Sequence, residues 1–434
     1  MEKAAVRFSP SAGWISDSAR LTLATLASSL LSAAYVGICG RALGPSEYSI
    51  VAALLALSAI TTLLNPAADG IAKLVADHMG RDDVGTTAAL WRLAWRWALG
   101  LAAGVTVLGC VASPWIATWL DIPSHGPVLA FVAYLASTIA IGAPRALQRG
   151  LHRFEAFALN QVAEAGVRLV LGASLALLGF GALGVLAGYA LGTGAAALLG
   201  RLSLGDVTQA HVSMSGSRTD APAPTAPSQR GGFGLSVSLP FMFMSICSLG
   251  LMNADVIAAK HVLTDEQAGL YGAASSLSRL AAVAAAPLTV VLLSKVTTAK
   301  AAGRPIGKLV LGVVGTLLGL LLVGLLGTVL VGEWAVVLMY GQAFRGSAPL
   351  LTLLVASVCL LVLQSSVCTV LIGINRHRGF WLLLVPPLVQ ITLLQVNHGD
   401  ARAIALDTLW AAGSGLLVLA AILGLNRADE RSDA

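Results

Sequence analysis

Residues Asn253 to Lys295 read NADVIAAKHVLTDEQAGLYGAASSLSRLAAVAAAPLTVVLLSK. This stretch holds the end of one apolar segment, a short polar turn, and a second apolar segment in which one arginine, Arg279, stands among small residues. About 220 positions earlier, Gly40 to Lys73 (GRALGPSEYSIVAALLALSAITTLLNPAADGIAK) has the same outline. Leu43 aligns with Leu263, Ser46 and Glu47 with Glu266 and Gln267, and Ser49 with Gly269. Pro66 and Pro287 interrupt the two runs near their far ends. The spacing is close to half of the 434 residues, so the chain reads as an internal duplication.

Only 11% of the residues are charged and 57% are hydrophobic, against about 25% charged in soluble domains. That excludes a water-soluble enzyme of ordinary type. About twelve apolar segments, from 19–38 to 404–424, each approach the roughly 20 residues that cross a bilayer. Half of them precede, and half follow, a single long polar stretch at 201–233 containing APAPTAPSQRGG, a flexible linker by composition. The expectation is an all-α polytopic membrane protein with an N-terminal part at 1–200 and a C-terminal part at 234–434.

The basic residues test this topology, because lysine and arginine gather on the cytoplasmic side. With the N-terminus inside, only Arg41, Lys260, Arg345 and Arg402 of the 27 lysines and arginines fall in outer loops. Arg168 and Arg279 fall within apolar segments, and the rest are cytoplasmic. A multi-pass protein of the plasma (inner) membrane with both termini and the linker in the cytoplasm is therefore expected. The net charge of +6 is spread over many short loops, which suits lipid contact and not nucleic acid. All five cysteines lie in apolar runs without metal-ligand spacing. There is no GxxxxGK[ST], HExxH or GxSxG pattern. Neither cofactor nor metal is expected, and the chain reads as a non-enzyme.

Ionisable groups within the bilayer are costly and tend to face a cavity or a partner. Arg279 lies on a stripe of small residues with Gly272 and Ser276, which suits a cavity for an anion; the alternative is an ion pair with Asp255. Asp255 closes a polar stripe with Ser245 and Ser248, either as an ion-coupling group or simply hydrated. Ser32 and Tyr35 mark a milder stripe on the first helix, with Arg20 at its mouth. Glu164 and Arg168, spaced i and i+4, read as a structural ion pair. Asp69 is placed to pair with Lys73, the loop Arg145 to Arg153 (RALQRGLHR) reads as a topogenic signal, and Pro240, Pro287, Pro386 and Pro387 are expected to kink their helices.

GRALGPSEYSIVAALLALSAITTLL, ALQRGLHRFEAFALNQVAEAGVRLVLG and NADVIAAKHVLTDEQAGLYGAASSLSRL resemble the polysaccharide and O-antigen flippases of the multidrug/oligosaccharidyl-lipid/polysaccharide exporter superfamily. The resemblance implies two pseudo-symmetric six-helix lobes around a central cavity that opens alternately to either side. It implies a lining drawn from the first, second, seventh and eighth helices, which carries Arg20, Ser32, Tyr35, Ser245, Ser248, Asp255, Ser276 and Arg279. The substrate implied is a polyprenyl-pyrophosphate-linked oligosaccharide, with membrane lipids and the glycosyltransferases or polymerase of a polysaccharide assembly system as partners. A cation-coupled drug or metabolite exporter of the same superfamily is the first alternative. The second is a membrane-embedded glycan polymerase or ligase working through outer-loop residues such as Arg345 or His398.

Overall fold

A computed structural model describes residues 13–79, 84–205, 235–301, 307–374, 376, 378–396 and 399–432. The described chain is helical throughout, with no strand. That is the expected consequence of a lipid environment, where every backbone polar group must be satisfied within its own segment. Eight helical stretches among the described residues are long and apolar enough to cross a membrane. Two of them, Thr22–Met79 with 58 residues and Phe154–Leu202 with 49, are each well over twice the roughly 20 residues that one crossing needs.

Glycines divide these two long stretches. Helix α1 (Gly13–Ser58) is interrupted at Gly44, whose φ of 71° is open to glycine, and Pro45 restarts the helix at a position that needs no N–H. The sequence suggested a loop here; a single residue is sufficient. A 3₁₀ turn (Ala59–Leu64) and α2 (Asn65–Met79) follow. Next come α3 (Val84–Trp119), α4 (Gly126–Gly150) and α5 (Phe154–Val167). Helix α5 continues through a π turn at Arg168–Gly172, the short α6 (Ala173–Leu175) and a second π turn at Ala176–Phe180. Positive φ at Gly179 and Gly181 then turns the chain into α7 (Gly181–Leu202).

The second half contains α8 (Leu235–Val262), α9 (Asp265–Ser278), α10 (Leu280–Ala301), α11 (Gly307–Tyr340), α12 (Ala348–Gly373), α13 (Val385–Val396) and α14 (Ala401–Ser432). The turn between α8 and α9 is fixed by side chains. Thr264 caps α9 by accepting from the Gln267 amide, and the buried Lys260 ammonium pairs with Asp265. The second apolar segment of the Asn253–Lys295 stretch is not one helix but breaks at Arg279. The Ser278 hydroxyl bonds back to the Ser275 carbonyl at 2.8 Å, a local bond that competes with the helix ladder. The first copy breaks at the equivalent place: α1 ends at Ser58, and the hydroxyls of Ser58, Thr61 and Thr62 bond back to i−3 carbonyls through the 3₁₀ turn. Pro386 and Pro387 occupy the first turn of α13 after a 3₁₀ turn at Phe380–Leu384, so they start a helix instead of kinking one.

Two compact units emerge from the packing. One comprises Met1–Val36, Ala67–Ser113 and Gly126–Arg230. Here α7 packs along α4 and α5, and Val75, Ala88, Trp91, Ala143, Leu147 and Leu204 form a core at one end. The other comprises Gly37–Pro66, Pro114–His125 and Gly231–Ala434. In it α8, α12, α13 and α14 enclose a core around Cys247, Leu251, Leu361, Cys368, Phe380 and Ile422. The linker expected at 201–233 lies, from 206 onward, outside the described residues.

Candidate functional site

Within the second unit the two copies of the duplicated segment touch. A Cβ on Gly269 would stand 1.8 Å from the Pro45 carbonyl oxygen, and one on Gly272 would stand 2.5 Å from the Cβ of Ala52. Gly272 therefore serves a close helix crossing, not a cavity wall, because small residues let two backbones approach. One turn on, the Tyr48 hydroxyl donates to Ser276 at 3.3 Å. The Tyr48 ring packs edge-on against Tyr340 and Phe344.

Beyond this crossing, α8, α9, α12 and α14 enclose a narrow cavity in which Asp255, Ser275, Ser278, Arg279, Ser357 and Thr408 stand among apolar residues such as Leu251, Leu354 and Leu361. It has room for about one water molecule. Asp255 is buried, and its Oδ2 accepts from the Tyr271 hydroxyl at 2.7 Å, while its Oδ1 has no hydrogen-bond partner. Arg279, at the break between α9 and α10, donates from Nη2 to the Met252 carbonyl at 2.7 Å and leaves Nε unpartnered. Among the described residues no ion pair joins Arg279 to Asp255. The two charges share one cavity without contact, each with one polar atom unspent, a costly arrangement in a low-dielectric interior.

The stripe on α8 faces α12. Ser248 lines a second small cavity with Cys247, Gln364, Ser365 and Cys368, and Asp255 lies farther along α8 opposite Ser357. Ser245 is half-buried on the same helix. Sequence periodicity placed these residues on one face, but which neighbour that face meets is a tertiary matter.

In the first unit, Glu164 is the hub of a charge network. Its Oε2 lies 2.5 Å from Arg145 Nη2, and its Oε1 lies 3.2 Å from Arg168 Nη2 and accepts from Thr193 at 3.0 Å. Arg145 also donates to Asn160 at 3.0 Å. The Arg168 guanidinium stands 4.7 Å from the centre of the Tyr189 ring. Tyr35, fully buried, meets Tyr189 edge-on and donates to the Val185 carbonyl at 2.6 Å, so its hydroxyl is satisfied by backbone. Ser32 is half-buried one turn earlier, and the Arg20 side chain lies outside the described residues.

Sequence reasoning paired Glu164 with Arg168 and missed Arg145, which it placed in a loop. Arg145 instead belongs to α4, and only the packing of α4 beside α5 and α7 brings it to Glu164. Asp69, read from the sequence beside Lys73, is reached by Arg149 at 2.7 Å. The reason is the close crossing of α2 and α4, where a Cβ on Gly150 would stand 2.6 Å from the Ala72 carbonyl oxygen. Of the two residues expected in outer loops, Arg345 is engaged with Glu333 at 2.7 Å on the surface, and His398 lies outside the described residues.

Residues 15–293 match a family model described as polysaccharide biosynthesis protein. No curated protein matches the chain. Among solved structures, an inward-facing multidrug resistance MATE family transporter of the MOP superfamily aligns with a TM-score of 0.70 at 17% identity, over 92% of this chain and 95% of that one. The lipid II flippase MurJ in an inward closed conformation aligns at 0.66 and 13% identity, over 92% and 86%. A MOP superfamily transporter from Pyrococcus furiosus with a binding pocket of reversed polarity aligns at 0.60 and 16%, over 94% and 96%. At these identities the likeness is one of fold.

Proposed function

The chain belongs to the polysaccharide biosynthesis protein family, and from that premise we propose that it moves a polyprenyl-pyrophosphate-linked oligosaccharide across the plasma membrane by alternating access. In this reading the stretch 201–233 and both termini lie on the cytoplasmic side. The MOP superfamily fold supports this reading, and so does the name of one structural neighbour, a lipid II flippase.

The observation that carries the site is the unspent Nε–H of Arg279 on a small cavity at a helix break. A guanidinium matches the geometry of a diphosphate, and a break in a membrane helix is where backbone can rearrange. Ser276 beside it, with Ser245 and Ser248 along α8, completes the proposed substrate path. Outward movement of an anion from a negative interior is downhill by about 2.3 kcal/mol per charge per 100 mV, so no nucleotide is needed. In cells lacking the gene, lipid-linked glycan accumulates on the cytoplasmic leaflet. Wild type clears it, and Arg279→Ala, inserted at normal level, does not. Normal export by that variant removes Arg279 from the mechanism.

One observation favours a second reading, a cation-coupled exporter. The buried Oδ1 of Asp255 is unpartnered, as a coupling carboxylate requires. Glu164 does not serve that reading, because Arg145 and Arg168 already neutralise it. Drug export that depends on an ion gradient and is lost in Asp255→Asn, with glycan export intact, selects it over the flippase.

A further inference from the structure

In the first unit, the start of α3 and the last turn of α7 form an open groove of about 500 Å3 lined by Trp91, Arg92, Trp95, Arg96 and Arg201. Trp91 and Trp95, one turn apart, lean together with ring centres 5.4 Å apart. Trp91 is buried in the core that α2 and α4 complete, so it anchors the groove floor. The Arg201 guanidinium stands 5.4 Å from the centre of the Trp95 ring, which fixes a cation over an aromatic face. Arg92 and Arg96, also one turn apart, are exposed along α3. Neither α3 nor α7 carries an aspartate or glutamate, and among the described residues no ion pair engages Arg96 or Arg201. This is a cationic groove without a carboxylate on the helices that form it.

Its position specifies an amphiphile. The span Gly85–Trp119 has 35 residues, about 50 Å of helix against roughly 30 Å of hydrocarbon. Trp91 to Arg96 therefore stand at the headgroup level, where tryptophan gathers. Immediately beside the guanidinium groups, Leu93, Trp97, Leu199 and Leu202 turn exposed apolar side chains outward. Charge above and bare apolar surface alongside suit a phosphate headgroup with its acyl or isoprenoid chain lying against the helices. We propose that this groove binds the phosphate headgroup of a membrane lipid. A basic pocket between membrane helices is a recognised way of holding anionic lipid, each arginine contributing about fivefold in affinity.

The test uses the full chain in detergent micelles, with bound molecules counted by native mass spectrometry. The probes are phosphatidylglycerol, phosphatidylcholine, undecaprenyl diphosphate and inorganic phosphate, each added alone. Wild type retains phosphatidylglycerol over phosphatidylcholine; Arg96→Gln and Arg201→Gln each weaken retention about fivefold, and Arg345→Gln, an exposed arginine elsewhere, does not. Retention of undecaprenyl diphosphate alone, lost in the same variants, upholds the site and names an isoprenoid lipid as its source. Equal occupancy by inorganic phosphate overturns the proposal, as does retention unchanged in both single variants or weakened equally by Arg345→Gln. The single variants alter exposed side chains, and a monodisperse elution profile confirms that they fold.

Discussion

A Cβ placed on Gly272 would stand 2.5 Å from that of Ala52, and these are equivalent positions in the two copies of the duplicated segment. The duplication is thus folded back on itself at a point of self-contact. A leucine at 272 has to separate helices packed at van der Waals distance, an overpacking cost of about 1–3 kcal/mol. Gly272→Leu is expected to melt several degrees below wild type in detergent. Gly104→Leu, with no neighbour within 4 Å, leaves the melting temperature unchanged; a matching loss in both variants refutes the packing account.

The Glu164 network ranks three substitutions. Glu164→Gln leaves Arg145 and Arg168 facing each other without a counter-charge, and removing one partner of a buried pair costs about 3–5 kcal/mol. Arg168→Gln is milder, because Glu164 keeps Arg145 at 2.5 Å. Arg145→Gln falls between them, since Asn160 also loses a donor. Thermal melting of the three variants gives the order, and equal losses for Glu164→Gln and Arg168→Gln refute it.

Tyr271 and Asp255 form a unit. Tyr271→Phe strips the carboxylate of its side-chain donor, a loss of about 1–3 kcal/mol for a buried polar group. In an Asp255→Leu background the same change costs little, because no carboxylate remains to be satisfied. A double-mutant cycle on denaturation midpoints measures the coupling, and additivity within about 0.3 kcal/mol counts against it.

Tyr35 is expected to act on stability through its hydroxyl. Tyr35→Phe leaves the Val185 carbonyl short of a donor and costs about 1 kcal/mol. Gly188→Ala costs more, because its Cβ would stand 2.4 Å from the Gly172 Cα, backbone that cannot step aside. Comparison of the two melting curves decides this; a harmless Gly188→Ala places slack where the packing leaves none.

The sequence alone determined the class of the protein. The bilayer admits few spanning structures, so long apolar runs and sparse charges are enough to specify a polytopic helical chain. The equivalent helix breaks after Ser58 and Ser278, where hydroxyls bond back to i−3 carbonyls, emerge only in the structure; the sequence located the duplication that contains them. What it could not supply was partnership across helices. Spacing of i and i+4 exposed Glu164–Arg168, but Arg145 reaches Glu164 only because α4 packs beside α5, and Asp69 takes Arg149 only because α2 crosses α4. The stripe of Ser248 and Asp255 was legible as a face, while its direction toward α12 was not. Along one helix a side chain's neighbours follow from 3.6 residues per turn; between helices they follow from packing, and the tertiary structure alone fixes that.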